Sequence, residues 1–281
     1  MSVLRVIVVS TFLICYSATP AAGALVHDVA THDLLLPERG EPLFATEVSQ
    51  SVLLDVDPSS ALVTPLCYLP TPVAASLAYD ESSGMLYATD AASRNLLVID
   101  PVVGATTVVG SMGLELPHAA AIDPSNGNLY VVSTVISPPN APSFLYAVNK
   151  LTGTPHLVGA IGYDQISGLD FDPTTGILYG ARGGPDDVGV LITIDTSTGQ
   201  GTLVCDTRRM TAISFDSSGQ MYGIDNGPAG GLSSLYLIDK SNGSSSFVGT
   251  MGVDNVLGLV FGGSATPVEA RSWAGIKAMF R

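Results

Sequence analysis

The feature that most limits what this chain can become is that it repeats itself. Pro42-Leu43-Phe44-Ala45-Thr46-Glu47, then Val52-Leu53-Leu54-Asp55-Val56-Asp57-Pro58, returns 43 positions later as Met85-Leu86-Tyr87-Ala88-Thr89-Asp90, then Asn95-Leu96-Leu97-Val98-Ile99-Asp100-Pro101. Aromatic residues recur in register at Phe44, Tyr87, Tyr130, Tyr179 and Tyr222. A repeat of this length, built from short runs of β-branched and aromatic residues, predicts one four-stranded sheet per unit, with the units arranged radially as propeller blades. The second unit shows the pattern: strands over Ser76–Tyr79, Met85–Thr89, Asn95–Ile99 and Thr106–Val109, here called A to D, are separated by turn sequences.

Five units fit residues 42–262, giving an all-β, five-bladed propeller with four strands per blade. Two segments compete for the A strand of the first blade. Val256–Phe261 looks like an A strand but has no B strand after it, and Leu34–Leu36 lies at the 43-residue offset. The C-terminal segment is favoured, because it carries the Gly-Leu-x-Phe pattern of Gly168–Phe171 and seals an otherwise open sheet edge.

The turns account for eight of the twenty acidic residues inside the repeats. An Asp or Asn opens each A–B and C–D turn, as in Asp123-Pro124-Ser125-Asn126-Gly127 and Asp172-Pro173-Thr174-Thr175-Gly176. Its side chain can bond amides two residues on, Pro presets φ and Gly supplies positive φ. One physical cause repeated around the ring needs no metal, and the sequence calls for no cofactor.

Ahead of the repeats, Met1–Arg5 is a short basic stretch, Val6–Ala18 is apolar, and Ala22-Gly23-Ala24 is a small-x-small cleavage pattern. Residues 1–24 therefore read as a secretory signal peptide, followed by an N-terminal segment over 25–41. The apolar run is too short for a comfortable membrane span. Cys15 lacks the preceding small residue of a lipidation site. The expected address is secreted, periplasmic or cell-surface, and the expected state a monomer. Cys67 and Cys205 occupy equivalent D-strand positions in units one and four. Those units are not neighbours in a ring of five, so the thiols are too far apart for a disulfide.

The whole chain has 25 acidic against 11 basic residues, a net charge of -14. Such an acidic protein repels nucleic acid and anionic membranes. It is compatible with cations, sugars or basic protein patches.

The pattern Gly168–Gly180 (Gly-Leu-x-Phe-Asp-Pro-Thr-Thr-Gly-x-Leu-Tyr-Gly) followed by Leu191–Gly199 (Leu-x-x-Ile-Asp-x-x-Thr-Gly) resembles secreted bacterial propellers of the NHL and YVTN repeat classes. The resemblance covers residues 42–262 and implies a fold rather than an activity, because such rings serve as binding scaffolds, structural proteins and enzymes. Residues 263–281 form a separate tail, with Pro267-Val268-Glu269, Ser272-Trp273 and Ile276-Lys277-Ala278-Met279-Phe280-Arg281. It resembles short Pro-Val-Glu…Ser-Trp…Ile-Lys-Ala…Arg tails of exported proteins. The two readings of it are a sorting or docking tag and an amphipathic turn packed on the propeller.

In a propeller the D–A and B–C loops gather at one mouth of the central channel, where binding commonly occurs. The D–A loops carry Glu115, Asp164, Arg208 and Asp254 at equivalent positions, with Gln165, Arg209 and Asn255 beside them. These are the ligand-binding candidates, for a glycan or protein ligand at the loop face. The B–C loops add Asp90, Arg94, Arg182, Asp186, Asp187, Asp225 and Asn226. Asp170 is an anomaly, a carboxylate inside an A strand where other units have Ala78, Ala121, Ser214 and Val260. It is the one weak catalytic candidate. A structural reading has it bonded to the next blade's amides or to channel water.

His27, Asp28, His32 and Asp33 offer only a weak metal-binding pattern, and no nucleophile elbow, zinc-protease motif or phosphate loop occurs. The leading expectation is an exported, non-catalytic binding or interaction module. The alternatives are a glycan-active hydrolase or lyase, which needs paired carboxylates, and a structural envelope or matrix protein.

Overall fold

The computed structural model describes residues 6–9, 12–15, 40–70, 74–135, 141–183, 188–227 and 231–263. Residues 264–281, Leu34–Leu36, the His27–Asp33 segment, Pro72, Val73, Asp186 and Asp187 lie outside them. The chain divides into two compact units, 1–38 and 39–281. In the first, β1 (Val6–Val9) and β2 (Phe12–Cys15) pair as an antiparallel hairpin.

The second unit is the propeller. Blade 1 contains β3 (Leu43–Glu47), β4 (Val52–Val56) and β5 (Val63–Tyr68); blade 2 contains β6 (Ala74–Asp80), β7 (Met85–Asp90), β8 (Asn95–Ile99) and β9 (Thr106–Ser111). Blade 3 contains β10 (Pro117–Ile122), β11 (Leu129–Thr134), β12 (Ser143–Val148) and β13 (Pro155–Ala160). Blade 4 contains β14 (Ile166–Asp172), β15 (Ile177–Arg182), β16 (Val188–Ile194) and β17 (Gly201–Arg208). Blade 5 contains β18 (Ala212–Phe215), β19 (Met221–Asp225), β20 (Ser234–Ile238) and β21 (Ser245–Thr250). The last strand, β22 (Val256–Phe261), pairs antiparallel with β3 and supplies the A strand of blade 1. The C-terminal segment thus closes the ring, and the A strands contact one another in a complete circle.

Burial follows distance from the centre. In blade 2, β7 is buried along its whole length, whereas β9 holds only half-buried and exposed residues. The apolar clusters fill the seams between blades. The recurring B-strand aromatic explains much of this packing: Tyr130 meets Phe171 at 5.9 Å between ring centroids, Tyr179 meets Phe215 at 5.3 Å, and Tyr222 meets Phe261 at 5.1 Å. Each pair joins a B strand to the A strand of the next blade, in tilted or edge-on geometry. The third pair crosses the closure, so β22 is packed as well as hydrogen-bonded into place.

All nine turn-opening Asp and Asn residues accept the amide two positions on, at 2.7–3.0 Å. The outer strands carry exposed edges, and each edge is interrupted by a register shift against its C strand. Such bulges discourage pairing with another sheet. The D-strand residue just past each bulge approaches the C–D turn of the next blade. Cys67 faces Gly104, where an added Cβ would stand 2.5 Å from the cysteine Cβ. At the closing seam the roles are reversed: Ala61 holds the positive-φ turn position and Gly249 faces it. Both cysteines are free and part-buried, in different seams.

Candidate functional site

The channel has two differently built mouths. At the D–A and B–C mouth, the candidates from the sequence are brought together in pairs. In blade 4, the D–A residue Asp164 accepts from Arg182 Nε at 2.9 Å and Nη2 at 3.2 Å, and Arg182 stands at the end of β15. Blade 5 has the charges exchanged. There Arg208 and Arg209 come from the D–A side, and Asp225 stands at the end of β19. Arg208 Nη2 donates to Asp225 Oδ2 at 2.9 Å, and Arg209 Nη2 to Oδ1 at 3.3 Å.

The Arg208 guanidinium also lies 3.7 Å from the centroid of the Tyr236 ring, a close cation–π stack. Burial pushes the Asp225 carboxyl upward, but the Gly227 amide and the two guanidinium groups outweigh it and hold it below the ordinary range. These arginines are therefore committed inside the protein.

The remaining loop-face candidates divide further. Gln165 and Asn255 adopt positive φ, and their carbonyls accept the Gly183 and Val48 amides beyond the B strands. Asn255 also donates to Ser49 Oγ at 2.9 Å. Their first task is to shape the loop. Glu115 and Asp254 are half-buried and have no hydrogen-bond or ion-pair partner among the described residues. Nearby, His118 Nε2 lies 3.0 Å from Thr134 Oγ1, and its buried Nδ1 has no partner among the described residues. Burial lowers its pKa to about 4, so the ring is neutral.

The opposite mouth, at the A–B turns, opens into a cavity of about 900 Å3. All five blades contribute to it. Its wall is aromatic and aliphatic, with Tyr79, Ile122, Phe171, Phe215, Val260 and Phe261. Its acidic residues are Glu41, Asp80, Glu81, Asp123 and Asp170, and Lys150 also lines it. Lys150 binds Asp80 across the seam between blades 2 and 3 at 2.8 Å. A parallel clamp joins Lys240 to Asp172 between blades 5 and 4 at 2.6 Å, with Asp172 fully buried. Burial raises Asp172, but Lys240 and the Thr174 hydroxyl overcome that and bring it down to about 2.

Asp170 sits in this cavity wall. Its Oδ2 accepts Ser214 Oγ and the Phe215 amide, both at 2.8 Å, and its Oδ1 accepts the Phe171 amide at 2.9 Å. Ser214 Oγ in turn accepts the Phe261 amide at 3.0 Å. The carboxyl therefore ties blade 4 to blade 5, and through Ser214 to the closing strand. Burial raises its pKa to about 7, against those bonds, which favour the ionised form.

A-strand position alone points to Asp170. Sequence reasoning misses the cavity, because Asp80 and Asp123 are fully explained as turn residues. A further sequence signal is present: Lys follows the turn-opening residue in only two C–D turns, at Lys150 and Lys240, and each reaches an A–B Asp one blade away.

These features define a closed five-bladed β-propeller with a cavity at one mouth. It is similar to a chain in the crystal structure of a nidogen/laminin complex, with 14% identity over 79% of this chain and 98% of that one, at a TM-score of 0.58. The PQQ-bound aldose sugar dehydrogenase of Streptomyces coelicolor is 15% identical over 60% of this chain and 61% of its own, at a TM-score of 0.44. The hydrazine synthase of Kuenenia stuttgartiensis is 16% identical over 64% of this chain and 50% of its own, at 0.46. The likeness to the first shows the fold alone. No family model and no curated protein match the chain.

Proposed function

We propose that this protein is an exported, non-catalytic binding module, secreted, periplasmic or displayed at the cell surface. Its ligand seat is the cavity at the A–B mouth, and its ligand is a basic, partly apolar segment of a protein partner. The observation that carries this reading is the make-up of that cavity: acidic side chains from four blades line it together with aromatic and aliphatic ones. Such a seat attracts a cation by charge and holds its apolar neighbours by burial. The loop-face arginines cannot serve an acidic ligand without first breaking their own pairs. A protein partner agrees with the setting of the similar propeller, which was seen in a nidogen/laminin complex.

The glycan-active alternative keeps one supporting observation, the cavity-lining Asp170 with its pKa near 7. Its three hydrogen bonds give that carboxyl a structural task already. Calorimetric titration with short Lys- and Phe-containing peptides tests the proposal, with neutral oligosaccharides as the contrast. Peptide binding that weakens as salt rises, and is lost in Glu81→Lys, supports it. Binding of the sugars alone, unaffected by Glu81→Lys, would sink it.

A further inference from the structure

The chain leaves the propeller at the rim of this same cavity. Gly262 and Gly263, just beyond β22, both line it, as does Glu41 just before β3. The exit is directed rather than loose. The Gly263 backbone passes against the Tyr79 ring, and a Cβ there would stand 3.1 Å from Tyr79 Cε1 and 3.7 Å from Glu81 Cγ. The backbone thus passes over the aromatic wall and beside an acidic rim residue of blade 2. Residues 264–281 come next in the chain. Their charged residues are Glu269, Arg271, Lys277 and Arg281, and their large apolar residues include Trp273, Ile276 and Phe280. The basic excess and the aromatic content match the cavity on both counts, its carboxylates and its apolar wall.

Reach is not limiting. Trp273 stands ten positions beyond Gly263, enough for about 30 Å when extended, and Gly263 itself lines the cavity. Tethering also keeps the local concentration of the segment high, of the order of millimolar for a short connection.

From the exit path and this charge and apolar complementarity, we propose that residues 264–281 occupy the A–B cavity of their own propeller. Trp273 and Phe280 lie against the aromatic wall, and Arg271, Lys277 and Arg281 face the carboxylates. The inference rests on the cavity being the ligand seat. It adds that the seat is covered in cis, so an outside partner must displace the tail or offer a better version of it.

Trp273 is the only tryptophan in the chain, so its fluorescence reports on this segment without labelling. In the full-length protein its emission should be blue-shifted, and its quenching by acrylamide several-fold weaker than in a synthetic peptide of residues 264–281. The double variant Glu41→Lys/Glu81→Lys, whose sites are both at the rim, should return both readings towards those of the free peptide. Arg271→Glu/Lys277→Glu/Arg281→Glu should do the same from the other side.

A wild-type Trp273 quenched as readily as the free peptide overturns the proposal. So does a protected Trp273 that neither set of charge reversals releases, since it would then be buried elsewhere. The synthetic peptide, added to the tail-reversed protein, separates this inference from the binding function. Binding there with an exposed wild-type Trp273 means that the cavity is a ligand seat but the tail does not cover it. No binding of that peptide, nor of the Lys- and Phe-containing peptides, removes the seat as well.

Discussion

The two mouths of the channel hold similar residue types and use them in opposite ways. At the loop mouth, D–A side chains pair with the end of a B strand: Asp164 with Arg182 at the end of β15, and Arg208, the last residue of β17, together with Arg209, with Asp225 at the end of β19. At the turn mouth, the lysines reach across seams, Lys150 to Asp80 and Lys240 to Asp172, while Glu41, Glu81, Asp123 and Asp170 also line the cavity. One end uses its charge to fix loops. The other uses it to clamp blades, and keeps an acidic surplus over an apolar wall. Richness in polar residues is therefore a poor guide to a binding surface. What matters is which charges remain uncommitted after the fold has used the rest.

The comparison can be broken most directly at the clamps. Lys240→Met should cost about 3 kcal/mol, because it strands the fully buried Asp172 carboxylate. Chemical denaturation near neutral pH measures it. Asp172 is held at about 2, below the ordinary 3.8, so the clamp's contribution is complete above pH 3.8 and is lost as pH falls through about 2. A loss under about 0.5 kcal/mol in Lys240→Met would show that the clamps are incidental.

The next effect concerns pH in the other direction. Folding raises Asp170 from 3.8 to about 7, so the folded protein holds that proton more tightly than the unfolded chain. The stability this gives is complete below pH 3.8 and is lost as pH climbs through about 7. We expect wild-type stability to drop by something on the order of 2 kcal/mol over that interval, less than the full shift implies because the cavity admits water. Asp170→Asn, which cannot titrate, should flatten the profile. Parallel profiles for the two proteins would show that Asp170 is ionised throughout.

A smaller change is expected at the loop mouth. Asp225→Ala removes the shared partner of two part-exposed arginines, which can turn to water, and should cost about 1 kcal/mol by thermal or chemical denaturation. A cost as large as that of Lys240→Met would erase the distinction between the mouths. The smallest effect belongs to Glu115→Gln with Asp254→Asn. Neither carboxylate has a partner among the described residues, so stability should change by less than about 0.5 kcal/mol, and peptide binding at the far mouth should not change at all. A clear loss of binding in this pair would move the ligand seat back to the loop face.

The fold was legible because one pattern recurs with its turns. Asp123-Pro124-Ser125-Asn126-Gly127 and its equivalents mark strand ends, and the Gly-Leu-x-Phe of Gly258–Phe261 marks the closing strand. The pairings at the loop mouth were only half legible. Asp164 and Arg182 both belong to that face by sequence, but equivalence between blades compares a D–A residue with other D–A residues. The partner comes instead from the B–C side of the same blade. The cavity was hidden for a different reason. An Asx turn uses one carboxylate oxygen: Asp80 Oδ1 takes the Ser82 amide, which leaves Oδ2 for Lys150. A residue explained once by its turn still had another acceptor to offer.

The close approach between D strands and neighbouring turns has a consequence for how the ring assembles. In chain order the facing partners are Cys67 with Gly104, Gly110 with Gly153, Gly159 with Gly199, Cys205 with Gly243, and Gly249 with Ala61. At the turn glycines of blades 2 to 5, Gly104, Gly153, Gly199 and Gly243, an added Cβ would stand 1.9–2.8 Å from the D strand of the preceding blade, whereas blade 1 carries a real Cβ at the same place, on Ala61. The joint where the ring closes therefore differs in kind from the four that the chain makes in passing: it takes a methyl on the turn side, a local mark that tells the first blade from its otherwise similar neighbours.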